Sequence, residues 1–193
     1  MPLQKIFSLL AGATSIIGFS IYIWFTVTGK IKPKILTWVI WAVLDTVLFL
    51  GMLAKHSLNY QMWTVIFFVW VVVLVSLRKG TRGWSKTDAF CLFGSITSII
   101  AWIATKNPTV GIVLILLVNL LGTVPNIVSA WEDPSRENWK AWIFGFISPL
   151  CALLSVPKLT LDFAGQPIVF AVITGTMIIL SLRRKRYRME VIQ

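Results

Sequence analysis

Residues 33–54 read PKILTWVIWAVLDTVLFLGMLA, and this stretch decides the fold class. A helix must supply about 20 apolar residues to cross roughly 30 Å of membrane hydrocarbon. The run Ile35–Ala54 reaches that length, and Asp45 is its only charged residue. It therefore predicts a transmembrane helix that begins directly after a loop containing Pro33.

The rest of the chain contains six more apolar runs, separated by short loops. They are Ile6–Val27, Met62–Leu77, Ala89–Thr105, Val110–Ala130, Trp139–Val156 and Pro167–Leu182. Of all residues 57% are hydrophobic and 13% are charged, whereas soluble domains average about 45–50% and about 25%. So much apolar surface cannot be buried in the core of so short a chain. We predict an all-α integral membrane protein with seven transmembrane helices.

The distribution of Lys and Arg predicts the orientation. If alternate loops face the same side, 14 of the 18 Lys and Arg residues lie together. They are Lys30, Lys32, Lys34, Arg78, Lys79, Arg82, Lys86, Arg136, Lys140, Arg183, Arg184, Lys185, Arg186 and Arg188. The other side holds Lys5, Lys55, Lys106 and Lys158. Because cytoplasmic loops carry the excess of basic residues, we predict the N-terminus outside and the C-terminus inside.

A proline–tryptophan pattern occurs twice with identical spacing, at an offset of 101 residues. Its members are Pro33, Trp38 and Trp41 in the first copy and Pro134, Trp139 and Trp142 in the second. Each copy opens the second helix of a three-helix set, and parallel repeats are a known transporter plan. The alternative is that two interfacial tryptophan pairs follow two prolines by coincidence.

The repeat predicts a 3+1+3 organisation, because one linker helix lets both three-helix sets insert in the same direction. Residues 1–79 would form the first repeat, and residues 80–106 the linker helix. The second repeat would cover residues 107–184, followed by a basic cytoplasmic tail at 185–193.

A local motif also points to a family. Residues 122–131, near the predicted inner end of the fifth span, read GTVPNIVSAW. With the 3+1+3 plan over the whole chain, the motif resembles the SWEET and PQ-loop repeat superfamily of seven-helix membrane transporters. Pro125 and Asn126 stand where that superfamily has its Pro-Gln element. The first repeat has Trp24-Phe25 at the matching position, and residues 65–73 of the third helix contain no Asn, the residue with which the SWEET branch binds sugar.

Asp45 is the first functional candidate. It follows Pro33 by 12 positions, which places it about 18 Å along its helix and near mid-membrane. No Lys or Arg lies deep in any predicted span to neutralise it. An isolated carboxyl in hydrocarbon is driven to its neutral form unless it lines a wet cavity, and intramembrane acids commonly serve as ion ligands or proton relays. The alternative is a protonated structural Asp bonded to a neighbouring hydroxyl or indole.

Asn119 lies about 16 Å from the inner end of its span, a depth similar to that of Asp45. It shares one helix face with Thr123 and Asn126 by their spacing of four and three residues. This face predicts either part of a solute site or hydrogen bonds that hold helices together.

Trp41 and Trp142 are predicted to face a cavity, since Trp41 lies about 12 Å deep and indole rings stack on sugars or attract cations. Four other tryptophans are expected in the belt at the membrane interface. These are Trp24, Trp38, Trp131 and Trp139.

Three prolines mark predicted irregularities. Pro125 and Pro149 each remove a helix hydrogen bond and are predicted to act as hinges in the fifth and sixth spans. Pro134 follows Asp133, and this pair predicts the start of the sixth span through an N-cap and a first-turn proline.

The leading hypothesis is a small-solute transporter that works by alternating access around Asp45, Asn119, Trp41, Trp142 and Thr123. The substrate is unknown and could be a sugar, an amino acid or another small polar solute, and proton coupling through Asp45 is a further hypothesis. The alternative is a seven-helix receptor or sorting protein that binds a ligand without carrying it.

Other classes fit the residues poorly. We expect no enzyme, cofactor or metal site, because the chain has a single His and two separated Cys, and no cluster of catalytic residues is seen. The net charge of +11 suits anionic lipid headgroups, and no nucleic-acid partner is expected. Compactness hints at a bacterial cell (inner) membrane, and a homo-oligomer is compatible with the sequence.

Overall fold

The computed structural model describes residues 3–84, 86–134 and 137–190, without the side chains of residues 87, 91, 95, 125, 129 and 184–190. These residues form helices and loops and contain no β-strand, which confirms the predicted all-α class. The helices are α1 (Leu3–Val27), α2 (Ile35–Ala54), α3 (Tyr60–Lys79), α4 (Lys86–Thr105), α5 (Pro108–Gly122), α6 (Val124–Glu132), α7 (Trp139–Ser155) and α8 (Leu161–Glu190).

Within the part of the chain that the structure describes, six helical segments are long and apolar enough to cross a membrane. They are α1, α2, α3, residues Asp88–Thr105 of α4, the joined α5–α6 segment Pro108–Glu132, and residues Leu161–Arg183 of α8. The remaining helix, α7, is apolar but shorter, at 17 residues. The set of helices is compatible with a multi-pass membrane protein, as the composition predicted.

Large apolar side chains cover the outward faces of several helices. Phe67 and Leu74 of α3, Phe93 of α4 and Ile179 of α8 are each more than 60% exposed. Apolar surface on this scale is an aggregation hazard in water. Such a surface is compatible with lipid, since helical hydrogen bonds satisfy the backbone of a membrane-spanning segment internally.

The fifth predicted span is interrupted. Helix α5 ends at Gly122 and α6 begins at Val124, so that Thr123 separates them. Proline lacks the N–H that would continue the helical ladder, and Pro125 follows two residues later. Its side chain lies outside the described residues, but the interruption agrees with the break that this proline predicts.

Asparagine side chains begin three of the helices. Asn59 Oδ1 accepts a hydrogen bond from the Met62 N–H at the start of α3, and Asn107 does the same for Thr109 in α5. At α7 the cap is Asn138, which accepts from the Lys140 N–H. The prediction that this helix starts at Asp133-Pro134 is therefore wrong. Its N-cap is Asn138 and its first residue is Trp139.

Helix α8 extends beyond its predicted bounds at both ends. We predicted Pro167–Leu182, whereas the helix runs from Leu161 to Glu190. At its start the polar residues Asp162 and Gln166 have partners on other helices, so they do not interrupt it. At its end the basic residues are good helix formers, and cations are favoured at a helix C-terminus. The predicted tail at 185–193 therefore continues α8 as far as Glu190, while residues 191–193 lie outside the described residues.

The helices pack in a defined order. Helix α1 contacts α3 and α7; α2 contacts α3, α4 and α5; and α8 contacts α5, α6 and α7. Helix α4 lies mainly against α5. The contact of α1 with α7 is close, because a Cβ on Gly18 would lie 3.2 Å from the Gly145 nitrogen and 3.3 Å from the Ala141 oxygen. The Ser148 hydroxyl of α7 also donates to the Ala11 carbonyl of α1 at 2.8 Å.

The contacts between helix ends define two ends of the bundle. We call the end at which α1 ends and α2 begins the basic end. There Lys34 forms an ion pair with Asp88 at the start of α4. There the Thr81 N–H donates to the Pro33 carbonyl at 2.9 Å, and the Ile35 N–H donates to the Thr81 carbonyl at 3.0 Å. At the opposite end, α2 ends and α3 begins.

Candidate functional site

A cavity of about 140 Å³ lies inside the bundle. Side chains of α1, α2, α3, α5, α7 and α8 line it, whereas none of the described residues of α4 or α6 does. The volume is enough for several water molecules or one small solute. Asp45, Asn119, Trp41 and Trp142, which the sequence singled out, all line this cavity.

Asp45 and Asn119 meet across the cavity. Asp45 of α2 is 6% exposed and Asn119 of α5 is 4% exposed. The Asn119 Nδ2 donates to the Asp45 Oδ1 at 3.4 Å, which is a long hydrogen bond. Within the part of the chain that the structure describes, this amide is the only hydrogen-bond donor to the Asp45 carboxyl. One carboxyl oxygen is therefore left for another partner.

Aromatic side chains form the wall of the cavity towards the basic end. The Trp38 Nε1 donates to the Tyr22 hydroxyl at 3.2 Å, and the two rings have centroids 4.9 Å apart. The Trp41 ring stands edge-on to Trp38 at 5.3 Å. Trp38 is only 8% exposed and lines the cavity, so its predicted place in the interfacial belt is wrong. Its shallow position after Pro33 suggested the belt, although its spacing of three and seven residues from Trp41 and Asp45 placed it on the helix face that lines the cavity.

The other predicted belt tryptophans differ from Trp38. Trp24 and Trp131 are 63% and 61% exposed, as side chains in a belt are. The guanidinium of Arg183 lies 3.7 Å from the Trp131 ring centroid. Trp139 is half-buried outside the cavity, and the Lys140 ammonium lies 5.8 Å from its ring centroid.

Glu137 lies beside the cavity at the basic end. It precedes α7, and its Oε2 accepts a hydrogen bond from the Trp142 Nε1 at 2.9 Å. The Tyr22 side chain is close enough to interact electrostatically with it. Burial raises the pKa of Glu137 from 4.5 to about 7, and the hydrogen bond from Trp142 partly opposes that rise. The carboxyl therefore changes its charge near neutral pH.

An amide network lies between Asp45 and the opposite end. Gln61 of α3 lines the cavity, and its Oε1 accepts a hydrogen bond from the Gln166 Nε2 at 3.1 Å. The Gln166 Oε1 in turn accepts from the Asn59 Nδ2 at 3.2 Å. All three side chains are buried, so the network joins α3 to α8 where water is scarce.

A second polar group lies at the same end of the bundle. The Thr109 hydroxyl at the start of α5 donates to the Asp162 Oδ1 at 2.7 Å. The Lys55 ammonium at the end of α2 forms an ion pair with the Asp162 Oδ2 at 3.6 Å. These contacts bring the ends of α2, α5 and α8 together.

Several predicted residues lie outside the cavity. Thr123 is 1% exposed, and its hydroxyl donates to the Asn119 carbonyl at 2.8 Å rather than lining the cavity. Asn126 in α6 and Pro149 in α7 do not line it either, although Ser148 beside Pro149 does. Pro33 lies in the paired loops at the basic end, and Pro134 lies in a short turn there.

Sequence reasoning missed five polar residues among the described residues that line the cavity, and it also missed Glu137, which contacts Trp142 from outside the lining. The five are Ser15, Tyr22, Gln61, Ser148 and Thr174. Gln61 lies just before the predicted third span, Met62–Leu77. The helical spacing of Ser15 from Gly18 and Tyr22 was the available signal, since positions three and seven apart share a face.

Comparisons of this chain with protein-family models, with curated proteins and with solved structures find no match. The resemblance to the SWEET and PQ-loop superfamily therefore depends only on the motif and the helix plan.

Proposed function

We propose that this protein is a seven-span membrane carrier of a small solute that works by alternating access. Two three-helix bundles, α1–α3 and α5–α8, would move against each other around the central cavity. The observation that carries the proposal is the buried pair Asp45 and Asn119, which faces that cavity from α2 and α5. A carboxyl kept inside a membrane bundle with an unfilled oxygen is a plausible ligand for a solute or a proton.

The lining of the cavity supports a site between two bundles. Helices α1, α2 and α3 supply one part of the lining, and α5, α7 and α8 supply the other. The described residues of α4 contribute nothing to it, and α4 packs on the outside against α5 and α2. This is the behaviour expected of a linker helix.

The packing order supports two equivalent repeats. In the first set α3 contacts both α1 and α2, and in the second set α8 contacts both α5–α6 and α7. The third helix therefore lies between the other two in each set. Between the sets, α1 contacts α7 and α2 contacts α5. If α1, α2 and α3 are exchanged with α5, α7 and α8, the contact of α1 with α7 becomes the contact of α5 with α2. A pseudo-two-fold relation between the two sets requires this correspondence.

The positions of the helix ends support two three-helix sets whose corresponding helices run in the same direction. At the opposite end, Asn59 at the start of α3 is hydrogen-bonded to Gln166 in the first turns of α8. Helix α1 also begins there, because the Tyr60 N–H of α3 donates to the Ser8 hydroxyl. The start of α5 lies there too, through Thr109 and Asp162. By the positive-inside rule this end faces outward and the basic end faces the cytoplasm. The amide network would then close the cavity on its outer side. The side chains of Tyr22, Trp38 and Trp142 would close it on its inner side.

Reconstitution tests the proposal. Purified protein in liposomes should support the uptake of at least one solute from a panel of labelled sugars, amino acids and amines. Asp45→Asn should reduce that uptake at least tenfold, whereas Glu132→Gln should not change it. Glu132 is an exposed carboxylate at the end of α6 and is a matched control for the loss of one acid.

Two outcomes would contradict the carrier. Uptake that is unaffected by Asp45→Asn would remove the cavity from the mechanism. Saturable binding of a solute without any flux into sealed liposomes would favour the receptor alternative instead.

A further inference from the structure

We propose that the cavity selects a small organic monocation, such as a quaternary ammonium ion or an amine without a carboxylate. The inference rests on the proposed function and narrows its substrate class. Two independent features of the lining carry it, namely its charge and its aromatic content.

The described residues that line the cavity include an acidic side chain but no basic one. Asp45 is the only Asp or Glu among the described residues that line the cavity, and no Lys, Arg or His is among them. Glu137 adds a second carboxyl behind Trp142 at the basic end. A cation entering the cavity would find an acceptor at Asp45 and no repelling charge, whereas an anion would find no partner for its charge.

Aromatic rings line much of the remaining wall. They are Phe19, Tyr22, Trp38, Trp41, Trp142 and Phe170. Aromatic π-systems attract cations, indole most strongly, and cages of such rings are the usual way in which proteins recognise quaternary ammonium groups. A neutral solute of the same shape gains packing from these rings but not that electrostatic attraction. The combination of several rings with one acid therefore favours a positively charged ligand.

The same lining argues against zwitterions. The carboxylate of an amino acid or a betaine would need a basic side chain or several donors. The donors near Asp45 are neutral amides and hydroxyls. The Asn119 amide already donates to Asp45, and the Ser148 hydroxyl already donates to the Ala11 carbonyl. Burying a carboxylate without a partner is costly, so a cation that lacks one should bind better.

Three probes of matched shape separate these cases. Choline carries the cation alone, 3,3-dimethylbutanol is its neutral isostere, and glycine betaine adds a carboxylate to the same quaternary nitrogen. Isothermal titration calorimetry on the full chain in detergent should give choline an affinity at least about tenfold above both others. Glucose should bind more weakly than choline. Equal binding of choline and its neutral isostere, or tighter binding of glucose or betaine, would overturn the inference, as would the absence of choline binding.

Variants locate the effect. Asp45→Asn and Trp41→Leu should each weaken choline binding at least about tenfold, while Glu132→Gln should leave it unchanged. Trp41→Phe keeps an aromatic ring and should fall between Trp41→Leu and the parent, and size-exclusion chromatography checks that each variant is folded. Unchanged choline affinity in folded Asp45→Asn protein would exclude this site.

Measurements of choline binding and of choline uptake test the cation site and the carrier function separately. Choline binding without choline uptake by liposomes would keep the cation site but contradict the carrier. Uptake of a neutral solute or zwitterion in preference to choline would keep the carrier and contradict the cation inference.

Discussion

The charge of the Glu137 carboxyl should respond to pH near neutrality. Its carboxyl is enclosed beside Tyr22 and accepts a hydrogen bond from Trp142, and its pKa is raised to about 7 by burial. The folded protein therefore holds this proton up to a higher pH than the unfolded chain, in which the carboxyl titrates near 4.5. As the pH rises from 4.5 to 7, the unfolded state loses its proton first, and the free energy of unfolding decreases.

We expect Glu137→Gln to remove this dependence. Thermal unfolding in detergent between pH 4 and pH 8 should show the parent losing stability relative to the variant as pH rises, with no further relative loss well above about pH 7. The Glu132→Gln control should follow the parent, because this exposed carboxyl stays solvated. A constant difference between parent and Glu137→Gln across the range would show that the carboxyl is not enclosed.

Asn119 has two interpretations, as a site residue and as a link between helices, and a double-mutant cycle separates them. Hydrogen bonds between helices in membranes couple by about 0.6 kcal/mol on average. We expect Asp45→Ala and Asn119→Ala to be coupled by about that amount in the free energy of unfolding, because each removes one partner of the hydrogen bond from the Asn119 amide to the Asp45 carboxyl. Additive effects would show that the long bond contributes nothing to stability and would leave Asn119 as a site residue only.

At the scale of elements, the loops at the basic end are held together by backbone contacts that leave no room for a side chain. A Cβ on Gly80, at the end of α3, would lie 2.5 Å from the Pro33 carbonyl oxygen and 2.7 Å from that of Ser76. Real Cβ atoms do not approach backbone so closely, so the paired loops would have to separate. Pro33, which the sequence marked as part of a repeat, thus has a structural role in this pairing.

We expect Gly80→Ala to destabilise the protein by about 1–3 kcal/mol, the usual cost of overpacking a filled site. Lys79→Ala, one residue earlier and exposed, should change the melting temperature little. Equal melting temperatures for Gly80→Ala and the parent would mean that the two loops do not approach each other as described.

At the scale of the whole molecule, the charge pattern and the helix ends make the same prediction about topology. Reporter fusions test it: green fluorescent protein at the C-terminus should fluoresce, since it folds in the cytoplasm. Alkaline phosphatase inserted in residues 55–59 or 106–107 should be active, since it needs the oxidising outer side. Phosphatase inserted after Lys79 is the control and should be inactive. Active phosphatase at the basic loops would invert the orientation, and activity in loops of both ends would contradict seven crossings.

Local composition determined which segments are helical, and for α2 it also determined both ends. Hydrocarbon demands a fixed length of apolar residues, and that demand is met or missed within each segment, so α2 begins and ends where its sequence predicted. The depth of Asp45 and Asn119 followed from rise per residue, which is also local. The interruption at Thr123 followed from the missing N–H of Pro125, again without reference to other helices.

Tertiary structure alone decided which faces meet. Trp38 was expected at the interface and lies inside, because α3 and α5 pack against α2 and the Tyr22 hydroxyl of α1 accepts a hydrogen bond from the Trp38 Nε1. The bond between Gln61 and Gln166 joins residues 105 positions apart, and no local pattern encodes such a pairing. Glu137 lies in a loop outside every predicted span, yet the fold brings its carboxyl to the Trp142 Nε1, from which it accepts a hydrogen bond. Hydrophobic length is a property of one segment, whereas enclosure is a property of neighbours that come together only when the bundle forms.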